Sequence, residues 1–170
     1  MKKIVFVLLF GVILTAGVFA SPVHPDGLGI GVLWGGTTGT GGGFNNNVAL
    51  SLKVPAVPVF WGISFGGLGG NSGFSIGVKG DYYLLGSELI PTLGWFLGVG
   101  AYVNMWFGNN AAIGFGGRIP IGLTWQPISI FELFGNLVGT LGTGIYTAGG
   151  GGIMGFRGGI GGEIGIRLWF

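Results

Sequence analysis

Cysteine is absent from this chain of 170 residues, and only 7% of its side chains are charged. Without cysteine there is no disulfide framework and no thiolate metal site. Ordinary soluble domains are roughly a quarter charged, so this chain has few groups with which to cover itself in water. Its one histidine, His24, precedes the first predicted strand. We expect it to be solvent-exposed, and the strands then have no imidazole for a catalytic triad or a histidine metal site.

Glycine, in contrast, is abundant, with 42 residues in a chain that is 49% hydrophobic. Glycine costs about 1 kcal/mol relative to alanine in a helix, so this composition disfavours helical membrane spans. Residues 89–107 are long and uncharged enough to span as a helix, but Pro91 and several glycines interrupt them. A helical membrane protein is therefore one weaker alternative. A glycine-rich disordered or fibrous chain is another.

The first twenty residues have the pattern of a secretory signal peptide. Lys2 and Lys3 precede an apolar core, and Val18 and Ala20 occupy the small-residue positions before a cleavage site. We expect cleavage after Ala20, which divides the chain into a signal peptide (1–20) and one domain (21–170); a retained helical anchor is the alternative. The domain then has five basic and five acidic residues, and no basic run that could hold nucleic acid.

From residue 28 onwards, apolar side chains recur at every second position, which is the pattern of β-strands. Short proline-containing segments at 55–58 and 126–129 predict turns, residues 84–92 predict a longer connection, and the other connections are glycine-rich. Segments of about 9–11 residues are long enough for a tilted strand to cross a bilayer. The sequence therefore predicts an all-β fold, an eight-stranded antiparallel transmembrane up-and-down β-barrel. The predicted strands begin near Leu28, Asn47, Val59, Phe74, Leu93, Ile113, Phe131 and Phe156.

The second face of these strands is mostly glycine, serine and asparagine, and it carries nearly all the charges. A lysine or arginine that faces lipid at mid-bilayer costs about 2–4 kcal/mol, so we expect the charged face to line the lumen. Buried charges must be paired, which predicts an ion-pair network, with Glu132 and Arg167 as its first pair, instead of a catalytic pair of carboxylates. The predicted lumen charge cluster comprises Lys53, Lys79, Asp81, Arg118, Glu132, Arg157, Glu163 and Arg167.

Tryptophan lies near the predicted strand ends, as two aromatic girdles at the membrane interfaces require. Trp34 and Trp106 fall at one end, and the other four at the opposite end, where Tyr82 and Tyr83 join them. Trp106 and Trp169 carry inward parity, which predicts a bend or bulge beside each.

The segment GGIGGEIGIRLWF ends in phenylalanine after apolar residues at alternate positions. It resembles the signal read by the outer-membrane barrel-assembly machinery, with Ile164, Ile166, Leu168 and Phe170 as the assembly-signal residues. GGRIPIGLTWQPISIFELFGNL is similar to the penultimate hairpin of an uncharacterised group in the outer-membrane β-barrel superfamily. As a whole, residues 21–170 resemble small eight-stranded barrels of the OmpA transmembrane-domain, OmpX and OmpW type. This resemblance implies a monomer in the bacterial outer membrane, in contact with its lipids.

Three functions remain open at this point. The leading hypothesis is a non-enzymatic barrel with a structural or surface-interaction role, because side chains just fill the interior of a small barrel. A narrow channel for small or hydrophobic solutes is the alternative that the OmpW resemblance implies, and inward Gly, Ala and Ser residues favour it by leaving room for a wet cavity. A lipid-modifying enzyme is less favoured, because such enzymes generally use a serine with a histidine. No metal or cofactor is expected.

We predict that the mature protein begins at Ser21, because the small residues before it fit a cleavage site. N-terminal sequencing of the protein extracted from membranes tests this. A chain that begins at Met1 would contradict it.

Overall fold

The computed structural model describes residues 24–38, 47–66, 73–108, 111–146 and 151–170; the predicted signal peptide lies outside them. All regular structure in these ranges is β-strand, and the predicted all-β fold is confirmed. None of the described residues form a helix long and apolar enough to cross a membrane. The strands are β1 (Gly29–Thr38), β2 (Asn47–Lys53), β3 (Phe60–Gly66), β4 (Phe74–Ile90), β5 (Leu93–Phe107), β6 (Ala112–Ile128), β7 (Phe131–Tyr146) and β8 (Gly152–Trp169).

Each strand pairs antiparallel with its neighbours in sequence, and β8 pairs with β1 to close the barrel. The paired residues can be followed once round the ring, from Arg167 on β8 through Gly31 on β1 and onward strand by strand. The path returns to β8 at Arg157, ten residues from where it began. Such a stagger is the shear of a closed barrel, and it means that the strands tilt relative to the barrel axis.

Three short connections lie at one end of the barrel, which we call the turn end: residues 54–59, 91–92 and 129–130. The other four connections lie at the opposite, loop end, and their residues fall largely outside the described ranges.

The long connection predicted at residues 84–92 is wrong, because β4 continues to Ile90 and only Pro91 and Thr92 join it to β5. Register shifts between Tyr83 and Leu85 and between Glu88 and Ile90 break the alternation there. A β-bulge adds one residue to a strand and shifts the alternation of its side chains, so the sequence of such a strand does not show a regular period of two.

The apolar face of the barrel points outward and its charged face points inward. Ile119, Leu137 and Leu141 on the outer wall are 57%, 63% and 60% exposed, whereas Glu132 and Arg167 inside are 0% and 2% exposed. A water-soluble β-sandwich has the opposite arrangement, with its apolar side chains packed between the sheets. The barrel is therefore inverted relative to a soluble protein.

Inward glycines give the large interior side chains their space. A Cβ on Gly62 would lie 2.6 Å from Cε of Lys79, and a Cβ on Gly100 would lie 3.1 Å from Cγ of Arg118. Both contacts are closer than ordinary packing of carbon atoms, about 3.5–4.0 Å. The glycines thus stand opposite long charged side chains, and the space is filled rather than left as a wet cavity.

The barrel closes along a seam between β1 and β8, which runs from Gly29 and Trp169 to Thr38 and Ile160. Just beyond the strand ends, the Leu28 N–H donates to the Phe170 carbonyl at 3.1 Å, and the Phe170 N–H donates to the Leu28 carbonyl at 2.9 Å. The backbone of Phe170 therefore extends the seam to the turn end. Ile164, Ile166, Leu168 and Phe170 all face outward.

We predict that deletion of Phe170 lowers the yield of folded barrel, because it removes both hydrogen bonds to Leu28 at the seam. The fraction of protein in membranes that shows heat-modifiable electrophoretic mobility measures this yield. Phe156→Ala is the control, because Phe156 is 80% exposed and lies on β8 beyond the pairing with β1. Equal yields for the deletion and the wild type would contradict the prediction.

Candidate functional site

The first group of interior charges, the turn-end cluster, is built round the carboxylate of Glu132. Its Oε2 accepts hydrogen bonds from Arg167 Nη1 at 2.7 Å and from Trp169 Nε1 at 2.9 Å, and its Oε1 accepts one from Thr124 Oγ1 at 2.8 Å. Arg167 Nε also donates to Ser51 Oγ at 3.1 Å. Glu132 and Arg167, the pair predicted first, therefore join strands β2, β6, β7 and β8.

Aromatic rings surround the guanidinium group of Arg167. Its Cζ lies 4.3 Å from the ring centroid of Phe134, 4.7 Å from that of Phe60 and 5.7 Å from that of Trp169. A cation over an aromatic face is attracted by the ring quadrupole, and more strongly when water is excluded. Arg167 thus has an anion and π-faces in place of its hydration shell.

His24 belongs to the same cluster, and the expectation that it is solvent-exposed is wrong. Its Nδ1 lies 2.8 Å from Glu132 Oε1. Its ring centroid lies 4.8 Å from that of Phe60, 5.1 Å from that of Tyr83 and 5.6 Å from that of Phe96. Burial lowers the pKa of His24 below its ordinary value, and this effect outweighs the opposing influence of the Glu132 carboxylate.

The second group, the central cluster, comprises Lys79, Asp81, Arg118 and Glu163. Arg118 donates from Nη2 to Glu163 Oε2 at 2.9 Å, and its Nε lies 2.8 Å from Asp81 Oδ1. Lys79 donates to the same oxygen of Glu163. The four residues come from β4, β6 and β8 and all are buried, so these ion pairs cross the lumen from one wall to another.

Two further predicted members of the charge cluster are Lys53, whose Nζ lies 5.8 Å from the ring centroid of Phe60 beside the turn-end cluster, and Arg157, which lies on the loop-end half of β8. The Lys53 side chain is buried and its Nζ donates to the Val54 carbonyl at 2.9 Å. Arg157 is exposed, so its predicted place in a buried lumen cluster is wrong. It pairs with the inward Gly142, but β1 pairs with β8 only as far as Ile160. Arg157 therefore lies beyond the closed part of the ring, where no described strand covers it on that side.

The aromatic residues with inward parity lie inside the barrel. Trp169 is 4% exposed and holds its place in the β1–β8 ladder, so the bulge predicted beside it is wrong. Trp106 pairs with Ser75 and Ala112 without a register shift, and no bulge lies beside it either. Tyr83, predicted for the outer girdle, stacks on Phe60 and Phe96 at centroid distances of 4.3 Å. Phe60, Tyr83, Phe96 and Trp169 thus fill the turn end of the lumen, whereas Trp106 lies near the loop end of β5.

Little space remains between the two clusters. A cavity of about 10 Å³ lies beside Asn136, Lys79 and Arg167, which is room for about one water molecule. A larger open recess of about 880 Å³ is lined mainly by outward-facing residues, among them Gly117, Ile119 and Gly139. In the described ranges, no group of three or more His, Asp or Glu side chains could hold a metal ion. The interior geometry thus supports ion pairing.

We predict that Glu132→Ala lowers the unfolding midpoint much more than Glu88→Ala. Glu132 is fully buried, and its loss leaves Arg167 without its carboxylate; breaking a buried pair costs about 3–5 kcal/mol. Glu88 is exposed on β4, and exposed substitutions usually change stability by less than about 0.5 kcal/mol. Urea unfolding followed by tryptophan fluorescence gives both midpoints, and equal shifts would refute the prediction.

Comparisons with protein-family models, with curated proteins and with solved structures found no match to this chain. The sequence and the geometry of the barrel are therefore the basis for the function proposed below. The chain is an all-β protein whose eight antiparallel strands close in a ring.

Proposed function

We propose that this chain is an integral protein of the bacterial outer membrane, a non-enzymatic β-barrel with a structural or surface-interaction role. The observation that carries the proposal is the inverted barrel, which has an apolar outer wall and a charged interior. The turn end would face the periplasm, and the loop end would face outward. Contact with lipid and insertion by the barrel-assembly machinery belong to the same proposal.

The outer wall supports a membrane location through its solvation energy. Large apolar side chains are exposed on the wall of every strand, for example Trp34, Val48, Phe115, Leu137 and Ile164. The largest apolar patch on a typical soluble monomer is about 300–600 Å², whereas this face continues round the ring. Exposure of this apolar face to water costs free energy, about 25 cal/mol per Å². A surrounding hydrocarbon layer removes that cost.

The closed interior supports a structural role over a channel. Lys79, Arg118 and Glu163 bridge the lumen, and the cavity beside them holds about one water molecule. A conducting pore needs a continuous water path, as in the larger barrels. The narrow solute channel stays the alternative, and electrical conductance distinguishes the two.

The bonding of the acidic residues supports a non-enzymatic role. Glu132 contacts Arg167, and Glu163 contacts both Lys79 and Arg118. A general acid or base needs to exchange a proton with a bound substrate, whereas these carboxylates are occupied by cations inside the protein. The lipid-modifying enzyme thus has the least support.

We predict that the wild-type barrel inserts into planar lipid bilayers and conducts little, whereas the double variant Arg118→Ala/Glu132→Ala conducts measurably. The two substitutions remove the side chain that joins Asp81 to Glu163 across the lumen and the carboxylate that binds Arg167 at the turn end, so water can enter at both levels. Ile119→Ala is the matched control, because the neighbouring Ile119 side chain is 57% exposed on the outer wall.

Failure of the folded protein to enter the bilayer would refute the membrane proposal. High conductance of the wild type would favour the channel. Equal, low conductance of the wild type and the double variant would mean that the two ion-pair clusters are not what blocks the lumen.

A further inference from the structure

We propose that residues 24–27 form a plug whose docking in the turn end depends on the protonation of His24. Acidification then releases the plug and opens the turn-end half of the lumen. This inference goes beyond the function proposed above. It rests on the barrel and on the contacts of one side chain, and it holds whether lipid or detergent surrounds the outer wall.

The His24 side chain makes the aromatic and ion-pair contacts by which the plug is docked. In the part of the chain that the structure describes, no backbone hydrogen bond joins residues 24–27 to the barrel. The first such bonds are those of the next residue, Leu28, with Phe170. The imidazole, in contrast, sits among Phe60, Tyr83 and Phe96, and stacks at 6.4 Å on Trp169. Docking of the segment is therefore sensitive to any change in this one ring.

The segment has a point about which it can turn. Leu28 is fixed to the seam by two hydrogen bonds, and Gly27 precedes it. Glycine adopts a wide range of backbone angles, so the residues before it can swing away while the β1–β8 pairing stays intact. Release of the plug therefore does not require the barrel to open.

The charges that face His24 disfavour its protonation in the docked position. Glu132 on β7 attracts a proton to the ring, but Arg167 on β8 already pairs with that carboxylate at 2.7 Å. The positive charge of Lys53 on β2 also disfavours a proton on His24. The Tyr83 phenol on β4 carries no charge between pH 5 and pH 8. A charged imidazole would be the third cation beside a single carboxylate in a buried site, which is costly.

The direction of the pH dependence follows from this balance. Burial lowers the pKa of docked His24, while the released segment has the ordinary value of about 6.5. Docking is therefore strongest above about pH 6.5, and it weakens as the pH falls below that value because only the released form readily takes up the proton. The docking equilibrium constant is expected to fall by up to about tenfold between pH 7.5 and pH 5.5, the limit being reached when the docked imidazole takes up no proton.

Release of the plug would uncover the turn-end half of the lumen. Glu132 and Arg167 lie directly behind the imidazole, whereas the ion pairs of Arg118 and Glu163 are separate from it. Release therefore admits water and small polar solutes to the turn-end cluster and leaves the central cluster closed. The switch is expected to change access to this half of the interior without producing a continuous pore.

The single histidine makes the test direct. The domain from Ser21 to Phe170, made without a histidine tag and labelled with ¹³C at histidine Cε1, gives one imidazole resonance by NMR in detergent micelles. At pH 8 we expect a shift displaced by the ring currents of the surrounding aromatic rings. Between pH 8 and pH 5 it should move to the position of the free peptide SPVHPDG, with a midpoint below that of the peptide.

Two variants separate the imidazole from other causes. Asp26→Asn removes an exposed charge from the same segment and should leave the titration unchanged. His24→Gln removes the titrating ring, and the Trp169 indole N–H resonance, which moves with His24 in the wild type, should then be constant over the same range. If that resonance moves as before in His24→Gln, the proposal is wrong.

The remaining outcomes also decide the question. A free-peptide shift at pH 8 would mean that the plug is not docked, a midpoint at or above that of the peptide would reverse the predicted dependence, and a docked shift kept down to pH 5 would exclude release. Dispersed strand amide resonances show that the barrel is folded in each sample. Bilayer insertion, which tests the membrane proposal, is measured separately, so the two proposals fail independently.

Discussion

The interior of this barrel is too narrow to hydrate its charges, and the protein must neutralise them with its own side chains. Moving an isolated ion out of water costs several kcal/mol even after relaxation. Arg118 therefore has Asp81 and Glu163 as partners, and Arg167 has Glu132. The glycines opposite these long side chains, such as Gly62 and Gly100, are a consequence of the same requirement, because the charged groups can meet only if they have room to reach across the lumen.

Buried ion pairs add little net stability, but they discriminate strongly between alternative arrangements. A slip of one residue in any strand would exchange its two faces. In β8 such a slip would turn Glu163 and Arg167 outward and bring Ile164 and Ile166 inward. Each correct partner would then be missing from the lumen, so the charges specify the register of strands that otherwise differ little from one another.

The alternating face of the strands was visible in the sequence because it follows from local geometry. It gave the eight strands, the inward direction of Lys79 and Glu163, and the Glu132–Arg167 pair. Three features depended on information that a period-two pattern does not contain. The extension of β4 to Ile90 includes bulges, and the exposure of Arg157 depends on where β1 ends.

His24 is the third of these features, and it was the hardest to foresee. It lies outside every strand, so no periodicity applies to it, and its surroundings come from five strands that are distant in sequence. Phe60, Phe96 and Trp169 face the lumen by the same alternation, but the alternation alone does not show that a residue from outside the strands lies between them. The sequence could have indicated the plug only indirectly, through the lack of any other side chain able to fill the space between these three rings.

The seam between β1 and β8 also determines the order in which this chain can fold. Gly29 and Trp169 are partners at opposite limits of the barrel sequence, so the ring cannot close until the last strand has been made. Until then β1 keeps one edge unpaired, and such edges readily add strands from other chains. Contacts at this sequence separation also slow folding, because the entropy of closing the long loop is lost before the contacts form. Protection of the β1 edge during synthesis is therefore as much a requirement of this architecture as the pairing that finally covers it.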